Sequence, residues 1–165
     1  MNDTIEVIKS RRSIRAYEKK AIPKKAIEEL IECGRLAPSA KNKQPWEFVA
    51  ITEKQTLSKL ASIMVYGEFI RDAAACILVL CEDTEFYLED GCAATENILI
   101  AAKSQGIGTC WIAGDKKEYV KKVLDAVKAP GGYRLVSVIS LGYSQEKVMP
   151  KAKRELKEVL HWEHF

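Results

Sequence analysis

Ala73-Ala74-Ala75-Cys76-Ile77-Leu78-Val79-Leu80-Cys81 is a run of nine apolar residues, the longest in the chain, and it decides the fold. A bilayer-spanning helix needs about 20 such residues, so the run is too short to cross a membrane. A strand with one wet face alternates polar and apolar side chains. A strand apolar at every position is a central strand covered on both faces, and helices must lie above and below it. One of them is predicted from Phe86 to Gln105, where Ala, Ile and Leu leave little polar surface and Gly106 marks the end. It should be largely buried.

Working outward, Asp3-Thr4-Ile5-Glu6 has the form of a helix start, with an N-cap Asp and an acid three residues on, and Ile5 and Ile8 share one face. Pro23 suits a first helical turn, and Ala26, Ile27, Leu30, Ile31 and Gly34 follow at the 3.6-residue period until Pro38. Trp46 to Ile51 is predicted as a strand, and Lys54 to Ile63 as a surface helix. Gly106 to Gly114 is a glycine-punctuated strand or loop, followed by a charged amphipathic helix from Lys116 to Val127. Ala129-Pro130-Gly131-Gly132 turns the chain into an alternating strand from Tyr133 to Leu141, and the tail beyond Gly142 carries a short helix around Leu156 to Trp162. Helices and four strands in mixed order, without regular βαβ alternation, give an α+β fold, with a doubly wound parallel sheet as second choice. No repeat or long linker divides the 165 residues, so residues 1–165 form a single domain.

The charge balance is 26 basic against 23 acidic residues, a net of +3, which calls for neither nucleic acid nor an acidic membrane as partner. The first residues lack the apolar core of a signal peptide. Five cysteines at irregular spacings, with no C-x-x-C pair, suggest neither disulfides nor zinc. Reduced thiols packed as small core residues, in a cytoplasmic protein, fit best; Cys110 alone has other surroundings.

Four segments could carry chemistry. Arg11-Arg12-Ser13-Ile14-Arg15 places three guanidiniums and a hydroxyl where they could cradle a phosphate, although a solvated basic helix end would look the same. Lys151, Lys153 and Arg154 follow Pro150, either as a second clamp on the same dianion or as a solubilising tail. Ser39, Asn42 and Gln44, in a loop bounded by Pro38 and Pro45, suit the polar edge of a planar heterocycle; turn chemistry accounts for them too. Gly106-Ile107-Gly108 has Trp111 where a dinucleotide fingerprint needs its third glycine, and it follows a helix instead of a strand, which excludes the Rossmann reading. Phosphate-loop and nucleophile-elbow motifs are absent. His161 and His164 could share a helix face but have no clear third metal ligand. With two histidines in all, the chemistry belongs to a cofactor.

Taken together these residues resemble the FMN-dependent nitroreductases. The run Arg11 to Arg15 is similar to that family's N-terminal phosphate motif, Ala37 to Trp46 to its proline-serine, asparagine and glutamine-proline-tryptophan loop, Gly106 to Gly114 to the segment laid against the flavin, and Lys151 to Arg154 to its C-terminal basic pair. The resemblance implies a mostly antiparallel sheet flanked by helices, in an intertwined homodimer with FMN at the interface. It implies that Arg11, Arg12, Ser13 and Arg15, with Lys151, Lys153 or Arg154, hold the phosphate. It also places Pro38, Ser39, Ala40, Asn42 and Gln44 of the dimer mate beside the flavin ring, and Trp111 and Ile112 against it, with the amides of Ala113 and Gly114 near N5. The implied activity is ping-pong transfer of electrons from NAD(P)H through FMN to a nitroaromatic, quinone or similar small acceptor, with no catalytic side chain and Tyr66 to Phe69 as a partial lid. Reductive dehalogenation or desaturation on the same scaffold, and a non-catalytic FMN-binding dimer, are the alternatives; a nucleic-acid binder is the weakest.

Overall fold

The computed structural model describes residues 4–165. Asp3, the expected N-cap, lies outside them. Helix α1 (Thr4–Ser10) buries Val7, while Ile5 and Ile8, expected to share one face, are exposed. Helix α2 (Lys24–Arg35) begins behind Pro23 and buries Ile27, Leu30 and Gly34. Then come β1 (Trp46–Ile51), α3 (Lys54–Ile63), β2 (Ala75–Glu82), α4 (Tyr87–Ser104), β3 (Gly108–Ala113), α5 (Val120–Ala126) and β4 (Tyr133–Gly142).

The strands form one antiparallel sheet in the order β1-β2-β4-β3. The apolar run quoted above is the central strand expected of it: residues 75–81 are all buried. Its alternate residues enter different cores. Ala75, Ile77, Val79 and Cys81 pack with Leu30 of α2 and Ile98 of α4, whereas Cys76, Leu78 and Leu80 pack with Leu57 of α3 and Val123 of α5. The sheet is therefore sandwiched between α2/α4 and α3/α5. Each large apolar side chain fully buried there contributes about 1.5–3 kcal/mol.

Strand β4 lies between β2 and β3, so it too is buried on both faces from Leu135 to Gly142, instead of alternating as its sequence suggests. Its register against β2 shifts at Val79/Leu80, leaving Val136 as the extra residue of a bulge. Two predicted helices are shorter than expected. Helix α5 starts at Val120 because turns occupy residues 114–119, with Lys116 at φ 56°. The tail forms only a single 3-10 turn, Leu156–Glu158, closed by a Glu155/Glu158 capping box.

Candidate functional site

The N-terminal run is built onto the outer edge of β3. The Ile14 amide donates to Thr109 O (2.8 Å), and the Glu18 amide to Tyr143 O (2.9 Å). Two glycines paired in register, Gly108 and Gly142, make room for this crossing. A Cβ on Gly108 would stand 2.9 Å from the Ile14 side chain, and one on Gly142 2.5 Å from the Tyr17 ring. Tyr17 is buried; its hydroxyl lies 2.7 Å from Ile14 O, to which it donates, and 2.6 Å from Ser140 Oγ, and burial raises its pKa. The backbone of the arginine run is thus pinned to the sheet at Ile14 and Tyr17.

From that platform Arg11, Arg12, Ser13 and Arg15 line a cleft of about 530 Å³ that Lys151 and Lys153 line as well. Two basic clusters almost 140 residues apart in sequence meet in one concavity. Arg11 is oriented by Glu96 of α4, at 3.8 Å. Arg12 donates to Lys9 O and Arg11 O, closing the end of α1 as well as lining the cleft. Arg154 is exposed and does not line it.

Arg15 also belongs to a second cleft, of about 940 Å³, that runs along β3. Trp111, Ile112 and Ala113 line this cleft, as do Tyr66, Phe69 and Tyr119. Arg15 stacks 5.9 Å above the Phe69 ring at the junction of the two clefts. Because β3 is an edge strand, alternate amides, Ala113's among them, face away from β4. The Tyr119 hydroxyl donates to Ala113 O. Gly114 departs from expectation, since its amide donates to Val136 O (3.1 Å) inside the sheet. Its lack of a side chain is explained by Leu135, whose carbonyl would stand 2.6 Å from a Cβ. Cys110, under the same platform, has its thiol pKa raised by burial, with Arg15, a hydrogen bond from Ser13, and Arg11 pulling the other way.

The loop carrying Pro38, Ser39, Ala40, Asn42 and Gln44 lines neither cleft. It leads into β1, at the opposite edge of the sheet from β3. It is nonetheless a shaped element. Lys41, Asn42 and Gln44 all have φ near +50°, a conformation that costs non-glycine residues energy. The Gln44 amide donates to Ser39 Oγ, and the Ala40 amide to Asp90 Oδ1 (2.9 Å). Asp90 is 5% exposed, and its Oδ2 is buried without a partner.

Sequence reasoning missed Tyr17, Asp90 and Glu146, whose carboxylate accepts amides from the arginine run. Tyr17 stands two residues after that run and Asp90 is an acid on a mostly apolar helix; both are visible signals. Among the described residues no cluster of His, Cys, Asp and Glu could hold a metal; His161 instead stacks on Phe165. No helix among them is long and apolar enough to cross a membrane.

Comparison with known proteins covers the chain from end to end. The family model "Nitroreductase family" matches residues 8–75, and "Putative TM nitroreductase" matches residues 61–164. An Archaeoglobus fulgidus protein named "Putative NADH dehydrogenase/NAD(P)H nitroreductase" is 34% identical over 155 residues, 89% of this chain and 88% of its own. A Bacteroides thetaiotaomicron protein of the same name has a crystal structure that superposes with a TM-score of 0.94 at 30% identity, covering 100% of this chain and 99% of that one. A Desulfovibrio desulfuricans structure described as a "putative nitroreductase in complex with fmn" gives 0.88 at 28% identity, over 100% and 99% of the two chains.

Proposed function

This chain belongs to the nitroreductase family, and from that premise we propose that it is an FMN-dependent oxidoreductase that passes electrons from NAD(P)H to a nitroaromatic, quinone or similar small acceptor. The observation that carries this reading is the meeting at Arg15 of a cleft walled by cations and a longer one walled by aromatic side chains. A phosphorylated planar heterocycle has the same two parts.

The residues present fit FMN. Arg11, Ser13, Arg15, Lys151 and Lys153 are charge-assisted or hydroxyl donors suited to a phosphate dianion, and the exposed edge of β3 offers the Ala113 amide to a ring laid beside it. FMN would supply the redox chemistry, linking oxidation of NAD(P)H to reduction of the acceptor in a ping-pong scheme. The protein binds, orients and stabilises. Arg15 puts a fixed positive charge at the junction, where it would favour the negative charge of a reduced ring. Tyr66, Phe69 and Tyr119 give a planar acceptor aromatic surfaces to stack on. Neither histidine lines either of these two clefts.

The complete site belongs to two chains. Ser39, Asn42 and Gln44 lie at the other edge of the sheet from β3, so a second copy would bring them to the ring. The tail supports this assembly, because Leu156, Trp162 and Phe165 are 70%, 76% and 107% exposed. An ordered apolar arm of this kind needs a surface outside its own chain.

The test is the visible spectrum of the purified protein, then heat release and chromatography of the chromophore against FMN, FAD and riboflavin, and NADH and NADPH oxidation with a quinone and a nitroaromatic. Released FMN at about one per chain together with acceptor-dependent oxidation is the expected result. A colourless protein that takes up no added FMN overturns the flavin reading, and bound FMN without turnover overturns the enzymatic one.

A further inference from the structure

We propose that Glu146 is a positioning residue that fixes the arginine run against the base of the C-terminal arm, and so sets the site's preference for a phosphorylated flavin. The proposal rests on the FMN reading above. Glu146 Oε1 accepts the amides of Arg15 (2.9 Å) and Ala16 (3.3 Å), from 131 and 130 residues away. The Gln145 amide donates back to Ala16 O at 3.0 Å, so the contact is two-sided. Ser144 stiffens the turn that presents the carboxylate: its hydroxyl donates to Glu146 O (2.6 Å) and accepts the Glu146 amide (3.3 Å).

The position explains the need. On either side of the contact the run is held by the sheet, through Ile14 to Thr109 and Glu18 to Tyr143. At Arg15 and Ala16 the amides donate to the Glu146 carboxylate instead of a backbone carbonyl. Five residues on, within roughly 17 Å of extended chain, stands Lys151, which lines the same cleft as the arginine run. One side chain therefore links the arginine run to the segment that leads into Lys151. Its partners are amides and not cations, and a carboxylate near a dianion site is otherwise repulsive, so its value lies in placement. Gln can still offer an oxygen to the same amides, whereas Ala cannot.

The experiment titrates wild type, Glu146→Ala and Glu146→Gln apoprotein with FMN and with riboflavin, following flavin fluorescence. Loss of a charge-assisted acceptor should weaken FMN binding by about tenfold or more in Glu146→Ala. Riboflavin, lacking the phosphate, should change by less than about twofold, and Glu146→Gln should hold FMN within about threefold of wild type. Unchanged FMN affinity in Glu146→Ala, equal losses for both flavins, or a Gln variant as weak as the Ala variant each overturns the assignment. If Glu146→Ala does not fold, hydrogen exchange at the Arg15 and Ala16 amides of the wild-type protein decides it, slow exchange supporting the clamp and unprotected exchange overturning it. Wild-type protein that binds neither flavin overturns the functional reading instead.

Discussion

Cys81 shows how a residue can be legible in type and opaque in consequence. Its place in an apolar run predicts a reduced core cysteine, and the thiol is indeed free and buried on β2. The structure adds the neighbours. Burial first, then the charge of Asp90, pushes the thiol from an ordinary 9.0 up to about 12. In the folded state the proton is held to higher pH than in the unfolded chain. The corresponding stability is therefore complete below about pH 9 and lost as pH rises toward 12. The urea midpoint should fall between about pH 8 and about pH 10.5, and Cys81→Ala should flatten part of that fall; an unchanged slope in the variant would contradict the assignment. Cys76, Tyr17 and Cys110, also raised by burial, contribute in the same direction. Arg11, Ser13 and Arg15 are legible as candidate phosphate ligands because charge and hydroxyl chemistry is local to the run, and the structure places all three along one cleft. Glu146 was not, because an exposed acid in a tail looks like any other until the fold brings Arg15 to it.

The elements follow the same division. Helix α3 and strand β1 fall at the residues predicted for them: α3 packs one face on the sheet, and β1 alternates Trp46 and Phe48 into one core with Val49 and Ile51 into the other, so both patterns are local. Strand β4 hid its burial, because Ser137 and Ser140 read as solvent-facing yet find buried partners in Thr95 and Tyr17. Helix α4 carries the sharpest test. Replacing a glycine inside a helix with alanine normally stabilises by about 1 kcal/mol. At Gly91 a Cβ would stand 2.6 Å from Val136, the bulged residue of β4, and 3.0 Å from Cys81 Sγ. Helix and sheet are in contact through the missing side chain. Gly91→Ala should therefore destabilise by about 1–3 kcal/mol, measured as a lower urea midpoint at unchanged slope. A stabilised variant would show that the α4–β4 interface yields more readily than its distances imply.

At the scale of the whole molecule the sheet order separates the two halves of the proposed site. Strand β3, with the arginine run on its outer edge, ends one side of the sheet; the loop of Ser39, Asn42 and Gln44 leads into β1 at the other. No rotation of side chains bridges a four-stranded sheet whose neighbouring strands lie about 4.8 Å apart and whose faces are covered by helices. A two-chain site instead makes a prediction that a one-chain site cannot. In the proposed homodimer, Arg15→Ala and Asn42→Ala chains would each carry the defect at both sites. In a mixed dimer both defects fall on one site, and the other receives Arg15 from the Asn42→Ala chain and Asn42 from the Arg15→Ala chain, which restores it whole. Co-refolding the two weak binders should recover tight FMN sites on about half of the mixed dimers' chains, read by fluorescence titration after separating differently tagged species. No recovery in purified mixed dimers would mean that Arg15 and Asn42 do not serve one cofactor from two chains.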